Sequence, residues 1–416
     1  MRSVALGNKR LIDYVEVIGE PEYEALRALG ASVAGTRVRH VNATAYGGGV
    51  AEILQNLVPL LRDVGVDASW SVLEAPAPFY DVTKKLHNSL QGMAIDVSDE
   101  EKRLYLEVQK DNAAGVGHVD VVLAHDPQAV ALRHFSPETR ARWVWRCHID
   151  TTTAYDPSWS LLRPYVEEHD AAIFTMPQFV RPDLRLSKIL IQKPTIDPNS
   201  PKNRRLPDAE AREVVARFGV DPDRPLLLQV SRFDPWKDPL GVIDAYRLVK
   251  AEIPTVQLVM IGSLADDDPE GMEYLRRTQA HAGEDPDVKL LTNLEGVKDR
   301  EVNAFQCVAA VVVQKSLREG FGLVVAEALW KGVPVVGGAV GGIPTQIIDG
   351  ETGFLVSSVE DCARRCLQLL RDPALRQRMG EVGREHVRKH FLITRDLRDQ
   401  LELARELTRG GVTTAG

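Results

Sequence analysis

Glu319 and Glu327 stand eight positions apart in Glu319-Gly320-Phe321-Gly322-Leu323-Val324-Val325-Ala326-Glu327, across a glycine-broken turn that leads into a helical pattern. The first carboxylate falls on a loop at a helix N-terminus, where free backbone N–H groups and the positive end of the dipole can face a phosphate or a sugar oxygen. The second, about two turns further on and on the same side, can bridge a diol such as a ribose. The spacing suits a nucleotide-sugar, although a capped helix with a solvated acidic face would read the same way. A second segment supplies cations. The apolar run Leu226–Val230 reads as a buried strand and passes into Ser231-Arg232-Phe233-Asp234-Pro235-Trp236-Lys237 before a helical pattern begins at Pro239. Arg232 and Lys237, at the C-terminal end of that strand, are placed to neutralise a departing diphosphate, where an exposed basic turn would be the plain alternative.

The first half of the chain carries its own candidates. The segment Arg39–Glu52 joins a strand to a helix through the glycines Gly47, Gly48 and Gly49. Such a loop lets backbone approach a ligand and aims the N–H groups of Gly48 and Gly49 at an anion; a plain tight turn would serve equally on this segment alone. The Gly-x-Gly-x-x-Gly spacing of dinucleotide oxidoreductases is not met. Two further loops, His125-Asp126-Pro127-Gln128 and Arg146-Cys147-His148-Ile149-Asp150, leave strand ends. A lone histidine is more often structural, but both loops fall at the C-terminal edge of a parallel sheet, which favours ligand contact.

The elements that must hold these residues alternate regularly. At 416 residues the chain is long for one core, so two domains are expected. Short apolar runs alternate with longer amphipathic ones, the mark of parallel sheets wrapped by helices. Strands are expected near Arg37–Val41, Ala68–Val72, Val119–Ala124, Trp143–Cys147, Ala171–Phe174 and Ile189–Gln192, with clear helices at Val50–Val64 and Asp99–Asn112. In the second half they are expected near Leu226–Val230, Val256–Ile261, Val288–Leu291, Val308–Val313, Val333–Val336 and Phe354–Val356. A proline-rich polar stretch with Pro194, Pro198, Pro201 and Pro207 marks a linker. The fold class is therefore α/β, two Rossmann-like doubly wound domains facing across a cleft.

Composition narrows the function. A net charge of −8 without a long basic stripe argues against a nucleic-acid partner. The N-terminal residues lack the apolar core of a signal peptide and no stretch reaches a membrane span, so no membrane association and a cytoplasmic location are the default expectations. Cys147, Cys307, Cys362 and Cys366 are too scattered for a disulfide framework, and the helical spacing of the last two points to packing. No His, Asp and Glu grouping has metal-site spacing, and Asp266-Asp267-Asp268 reads as a solvated loop.

Arg232, Lys237, Glu319 and Glu327, in this order and context, together resemble the C-terminal half of the retaining glycosyltransferases of family 4, which have the two-domain GT-B fold. The runs Gly337–Pro344 and Asp349–Val356 add to the likeness, while Thr345-Gln346 departs from it, since many members carry Pro-Glu there. The strings His40–Leu54, His125–Gln128, Trp145–Asp150 and Val230–Lys237 are similar to the trehalose glycosyltransferring synthases and the related retaining trehalose phosphorylases. This resemblance runs from about residue 37 to about residue 395.

The resemblance implies reversible transfer of glucose from a nucleoside-diphosphate glucose to the anomeric hydroxyl of free glucose, by front-face attack with retention. It implies that Arg232 and Lys237 stabilise the leaving diphosphate, helped by backbone N–H groups of Gly48, Gly49 and the turn Gly320, Phe321, Gly322, Leu323. Glu319 would hold donor-sugar hydroxyls, Glu327 the ribose diol, and His148 the region of the donor 6-hydroxyl. Asn293 and its neighbours would present backbone groups to the base, with Asp126 and Tyr46 on the acceptor side. Residues 1–193 would form the acceptor-side domain, 194–208 the linker and 209–393 the nucleotide-sugar domain, with a helix at 394–416 crossing back. No cofactor is required; a magnesium ion could accompany the nucleotide, and none is expected to be held by the protein. The partners implied are small molecules and a second copy of the chain in a homodimer. A trehalose phosphorylase using glucose 1-phosphate, a catalytically silent sugar-nucleotide sensor and, more distantly, a sugar-nucleotide epimerase are the alternatives.

Overall fold

Among the described residues thirteen strands, most of them rich in Val, Ile, Leu and aromatic residues, the types that fit a pleated half-buried surface, form two sheets. The structure, a computed structural model, describes residues 1–46, 49–264 and 269–409. Asp266–Asp268, expected to form a solvated loop, and Gly48, expected to aim an N–H group at an anion, lie outside the described residues. The chain divides into two compact units, Met1–Pro194 with Ile393–Gly416, and Thr195–Leu392.

In the first unit the strands are β1 (Arg2–Ser3), β2 (Arg37–Asn42), β3 (Asp67–Val72), β4 (Val121–His125), β5 (Arg142–Cys147), β6 (Ala171–Phe174) and β7 (Ile189–Ile191). They run in the order β1-β3-β2-β4-β5-β6-β7. All pairings are parallel except that of the short edge strand β1 with β3. Because strand side chains alternate between faces, Val41, Val122, Ala124, Trp143 and Trp145 join one core with the helices Ala77–Leu90, Asp99–Ala113 and Asp156–Glu167. Val38, Val121, Leu123, Val144 and Ile173 join the other, against Leu54, Leu57 and Leu61 of the helix Gly49–Asp63 and Leu397 and Leu401 of the helix Ile393–Arg409.

The second unit contains β8 (Leu226–Val230), β9 (Gln257–Gly262), β10 (Val288–Thr292), β11 (Val311–Gln314), β12 (Val335–Gly338) and β13 (Gly353–Val356), all parallel, in the order β10-β9-β8-β11-β12-β13. That is the doubly wound order of a dinucleotide-binding sheet, reversing between β8 and β11; in the first unit the reversal falls between β2 and β4. Ligands of open α/β sheets bind beyond the carboxyl ends of the strands at such switch points.

Most expected strands differ from these by a residue or two. Val308, expected to open a strand, instead ends the helix Asp299–Val308, and β11 starts at Val311. An unbroken run of Val and Ala carries no period with which to place that boundary. The edge strand β1 and the helix Glu20–Ala31 were not anticipated; two residues are too few to show an alternation.

Candidate active site

At the switch point of the second unit the loop after β8 meets the loop after β11. Asp234 accepts from the backbone N–H groups of Trp236 and Lys237, at 2.9 and 3.1 Å, and curls Pro235–Lys237 into a short helical turn. The Leu317 N–H donates to the Trp236 carbonyl at 2.8 Å, tying the two loops together. There the Lys237 ammonium donates to Glu319 Oε2 at 2.7 Å. Ser316 Oγ, at 3.2 Å, and Gln314 Nε2, at 3.4 Å, reach the same oxygen. Glu319 Oε1 is left without a hydrogen bond among the described residues and can accept from a ligand hydroxyl. Arg232 projects outward with its side chain 70% exposed, steadied at 3.1 Å by Asp234.

The Glu319 loop is held from behind by the glycine run that follows β12. A Cβ on Gly341, whose φ is +54°, would sit 1.7 Å from the Glu319 carbonyl oxygen, and one on Gly342 would sit 2.7 Å from the Phe321 Cα. Only residues without side chains allow this approach. The fully buried Gln346 completes the brace. Its Nε2 donates to the Phe321 carbonyl at 2.6 Å and the Gly322 carbonyl at 3.2 Å, and its Oε1 accepts from Ala326 N–H at 3.0 Å. The Thr345-Gln346 departure thus supplies a strut that fixes the turn Gly320–Leu323 at the start of the helix Leu323–Trp330.

Beside these loops, beyond the ends of β8, β9 and β10, lies a cavity of about 540 Å³ whose lining includes Arg232, Ser263, Asn293, Lys298, Arg300 and Lys202. Asp299 is the one acidic residue lining it. Arg232 and Asn293 therefore share this space, while Lys237, Glu319 and Gly320–Leu323 are not among its lining residues. Asn293 uses its side chain to grip the Leu264 backbone, accepting its N–H at 2.8 Å and donating to its carbonyl at 3.1 Å. Glu327 is buried, with Oε1 paired to Lys202 at 2.6 Å and Oε2 accepting from Gln306 at 3.3 Å. Since Glu319 precedes the helix, the two glutamates are not in one helical register. Desolvation holds the buried Lys331, which donates to Gln306 Oε1 at 2.7 Å, down to about 8.

In the first unit, strand alternation aims His40, His125 and Arg146 at one face, the one covered by Gly49–Asp63 and Ile393–Arg409, and His148, the residue after β5, reaches His125 there. His40 Nδ1 lies 3.1 Å from His125 Nε2, and His125 Nδ1 lies 3.0 Å from His148 Nε2. Burial holds His40 down to about 3 and keeps His125 and His148 well below the ordinary imidazole value, with the Arg146 guanidinium adding to each shift. Arg146 is itself buried, donating to Gln192 Oε1 at 2.5 Å, with Asp396 at 4.0 Å. Asp126 sits at φ 57°, in the left-handed region, and its Oδ1 accepts the His148 N–H at 2.7 Å. Desolvation pushes its carboxyl up to about 7, opposed by that hydrogen bond and by Arg146. Tyr46 is 76% exposed, and Gly49, three positions later in the chain, is the first residue of the following helix.

Sequence reasoning passed over His40 and Gln346 as working residues and did not single out Lys202. Nothing local distinguishes a strand histidine or a buried glutamine; only the cation at Lys202, beside the prolines of the linker, gave a signal. Among the described residues no three His, Cys, Asp or Glu side chains converge on a metal site, and no helix is long and apolar enough to cross a membrane.

Known proteins have sequences and folds related to this one. The family described as Trehalose synthase, N-terminal domain matches residues 40–181, and Glycosyl transferases group 1 matches residues 211–386. A trehalose synthase of Thermococcus litoralis is 50% identical over 95% of this chain and 96% of its own length. A trehalose phosphorylase of Pleurotus pulmonarius is 27% identical over 91% of this chain but only 58% of its own. Among solved structures, a sucrose-phosphate synthase from Thermosynechococcus elongatus superposes with a TM-score of 0.70 at 20% identity, covering 90% of this chain and 100% of that one. At that identity the likeness speaks for the fold alone.

Proposed function

The chain belongs to the trehalose synthase family of group 1 glycosyltransferases, enzymes of GT-B fold, and from that premise we propose that it makes α,α-trehalose reversibly from a nucleoside-diphosphate glucose and free glucose, with retention. The observation that carries this reading is the cavity beyond β8, β9 and β10, with four basic residues, Lys202, Arg232, Lys298 and Arg300, around a single acid. Such a lining suits a diphosphate joined to a nucleoside, and a single phosphate would leave much of the 540 Å³ unfilled.

The chemistry follows from what each group can do. In front-face transfer the departing phosphate oxygen takes the acceptor's proton, so the protein's main task is to stabilise charge developing on the diphosphate. Arg232 brings an exposed, always-charged fork. Lys237 is already held by Glu319 and has donors to spare, while Glu319 Oε1 receives a hydroxyl of the donor sugar. Glu327, deeper in the unit, meets the ribose diol once Lys202 shifts towards a phosphate. In the first unit His148 meets the donor sugar, and Asp126 and Tyr46 serve the acceptor. No cofactor takes part; a magnesium ion would travel with the nucleotide. A cytoplasmic homodimer completes the reading.

Incubating the purified protein with trehalose plus ADP, UDP, GDP or inorganic phosphate, and identifying the activated glucose released, tests the proposal. A nucleoside-diphosphate glucose establishes the synthase and names its base. Glucose 1-phosphate from phosphate alone would replace it with the phosphorylase, the second reading that the Pleurotus relative favours. No product under any condition would overturn both.

A further inference from the structure

Three imidazoles make a continuous row at the carboxyl edge of the first sheet, and the reaction as proposed asks something of only one of them. His40 lies within β2, His125 closes β4 and His148 follows β5. Successive rings stack with centroids 5.3 Å apart, at interplanar angles of 28° and 15°. At each nitrogen-to-nitrogen contact one atom must carry the proton and the other a lone pair. A neutral imidazole has only one N–H, so the three tautomers are not independent. Either all three rings carry the proton on Nδ1, or all three carry it on Nε2.

The closed end of the row decides between them. His40 is fully buried and its Nε2 has no hydrogen-bond partner among the described residues. With protons on Nε2, a buried N–H would face nothing that accepts it; with protons on Nδ1, only a lone pair is left there. An orphaned buried N–H is the rarer defect in native proteins. Because His40 Nε2 is sealed from solvent, the row cannot exchange one arrangement for the other by passing protons through that end. Arg146, anchored by Gln192 and Asp396 on the same face, disfavours an added positive charge in the row. Asp126 fixes the His148 backbone from the other side.

We propose that His40 and His125 are positioning residues that lock His148 with its proton on Nδ1, so that it acts on the bound sugar only as a hydrogen-bond donor to a sugar oxygen. This rests on the reading that His148 faces the donor sugar. A ligand lacking that oxygen, or replacing it with an ammonium, has nothing to accept the bond and is discriminated against. The row thus works as a specificity device and not as a proton wire, since its inner end leads nowhere.

The test uses full-length protein labelled with ¹⁵N-histidine, free of ligand, with imidazole nitrogens assigned through single His→Phe variants. The expected spectrum shows His148 protonated on Nδ1 with a bare Nε2. His40→Phe keeps a flat aromatic ring at this position but removes the anchor. In it His125 and His148 should spread over both tautomers, and kcat for trehalose cleavage should fall about ten-fold, the scale of one neutral hydrogen bond. His40→Asn, whose amide can donate to His125 Nε2, should restore the single tautomer and most of the rate. With a donor lacking the 6-hydroxyl, parent and His40→Phe should turn over alike. A His148 proton on Nε2 overturns the proposal, as does an unchanged tautomer in a folded His40→Phe protein. The expected spectrum without turnover on any donor would overturn the transfer reading and leave the lock standing.

Discussion

Replacing Lys237 with methionine should separate what the ion pair with Glu319 does for the fold from what the ammonium does for the reaction. The two side chains are only 14% and 8% exposed. Removing the ammonium strands a largely buried carboxylate, a change that costs about 3–5 kcal/mol when nothing else compensates. Ser316 and Gln314 still reach Glu319 Oε2, at 3.2 and 3.4 Å. Those bonds bring the expected loss to the lower end, about 3 kcal/mol in urea unfolding. With Lys237 as the proposed donor to the developing diphosphate charge, its loss should lower kcat by about 10²–10³. Lys237→Met combined with Glu319→Gln removes the stranded charge and should recover stability to within about 1 kcal/mol of the parent, because neighbouring mutations couple. Turnover should stay low in the double variant. The reasoning is refuted if Lys237→Met unfolds within about 0.5 kcal/mol of the parent, as an ordinary surface change would. It is refuted equally if trehalose cleavage at saturating nucleotide proceeds at more than about a third of the parental rate.

Three further perturbations test separate parts of the site. Gly341→Ala drives a Cβ to 1.7 Å from the Glu319 carbonyl at a φ of +54°, whereas Gly350→Ala, at φ +82°, meets nothing within 4 Å. Thermal unfolding should show the first losing more than the roughly 1 kcal/mol of backbone strain expected of the second, and only the first should lose trehalose cleavage. Asp126 has its carboxyl raised from 3.8 to about 7, so between these values the native state binds more protons than the unfolded state, and this group's contribution to stability falls as pH rises. Asp126→Asn, which can still accept the His148 N–H, should therefore gain stability relative to the parent between pH 4.5 and 7.5; a constant difference in urea unfolding would contradict this. With Glu327 on the ribose diol, as proposed, Glu327→Gln should loosen that grip in ground and transition state alike, so steady-state kinetics should show KM for the nucleotide rising about ten-fold with kcat nearly unchanged.

Much of the fold was legible because parallel strands buried on both faces leave apolar runs that no loop imitates, as at Ala171–Phe174 and Leu226–Val230. Of the site, the cations Arg232 and Lys237 and the glutamates Glu319 and Glu327 stood out through charge placed at strand and helix ends. Sequence could not tell which of these charges touch. Lys237 and Glu319 are 82 positions apart and meet because β8 and β11 are neighbours in the sheet, and Glu327 is matched to Lys202 by the path of the chain before the helix Asp208–Ala216. Gln346 looked like a departure from a pattern until its amide was found bracing the Glu319 loop. The histidine row is the clearest division. The sequence determined that His40, His125 and His148 occupy strands or their ends, and strand alternation determined the face of the first two. That the rings touch was decided by the order β2-β4-β5, and their shared tautomer by the burial of one nitrogen of His40. Local residue types set what a segment can become, whereas contact between residues distant in sequence depends on pairing and packing of the whole sheet, which no short stretch encodes.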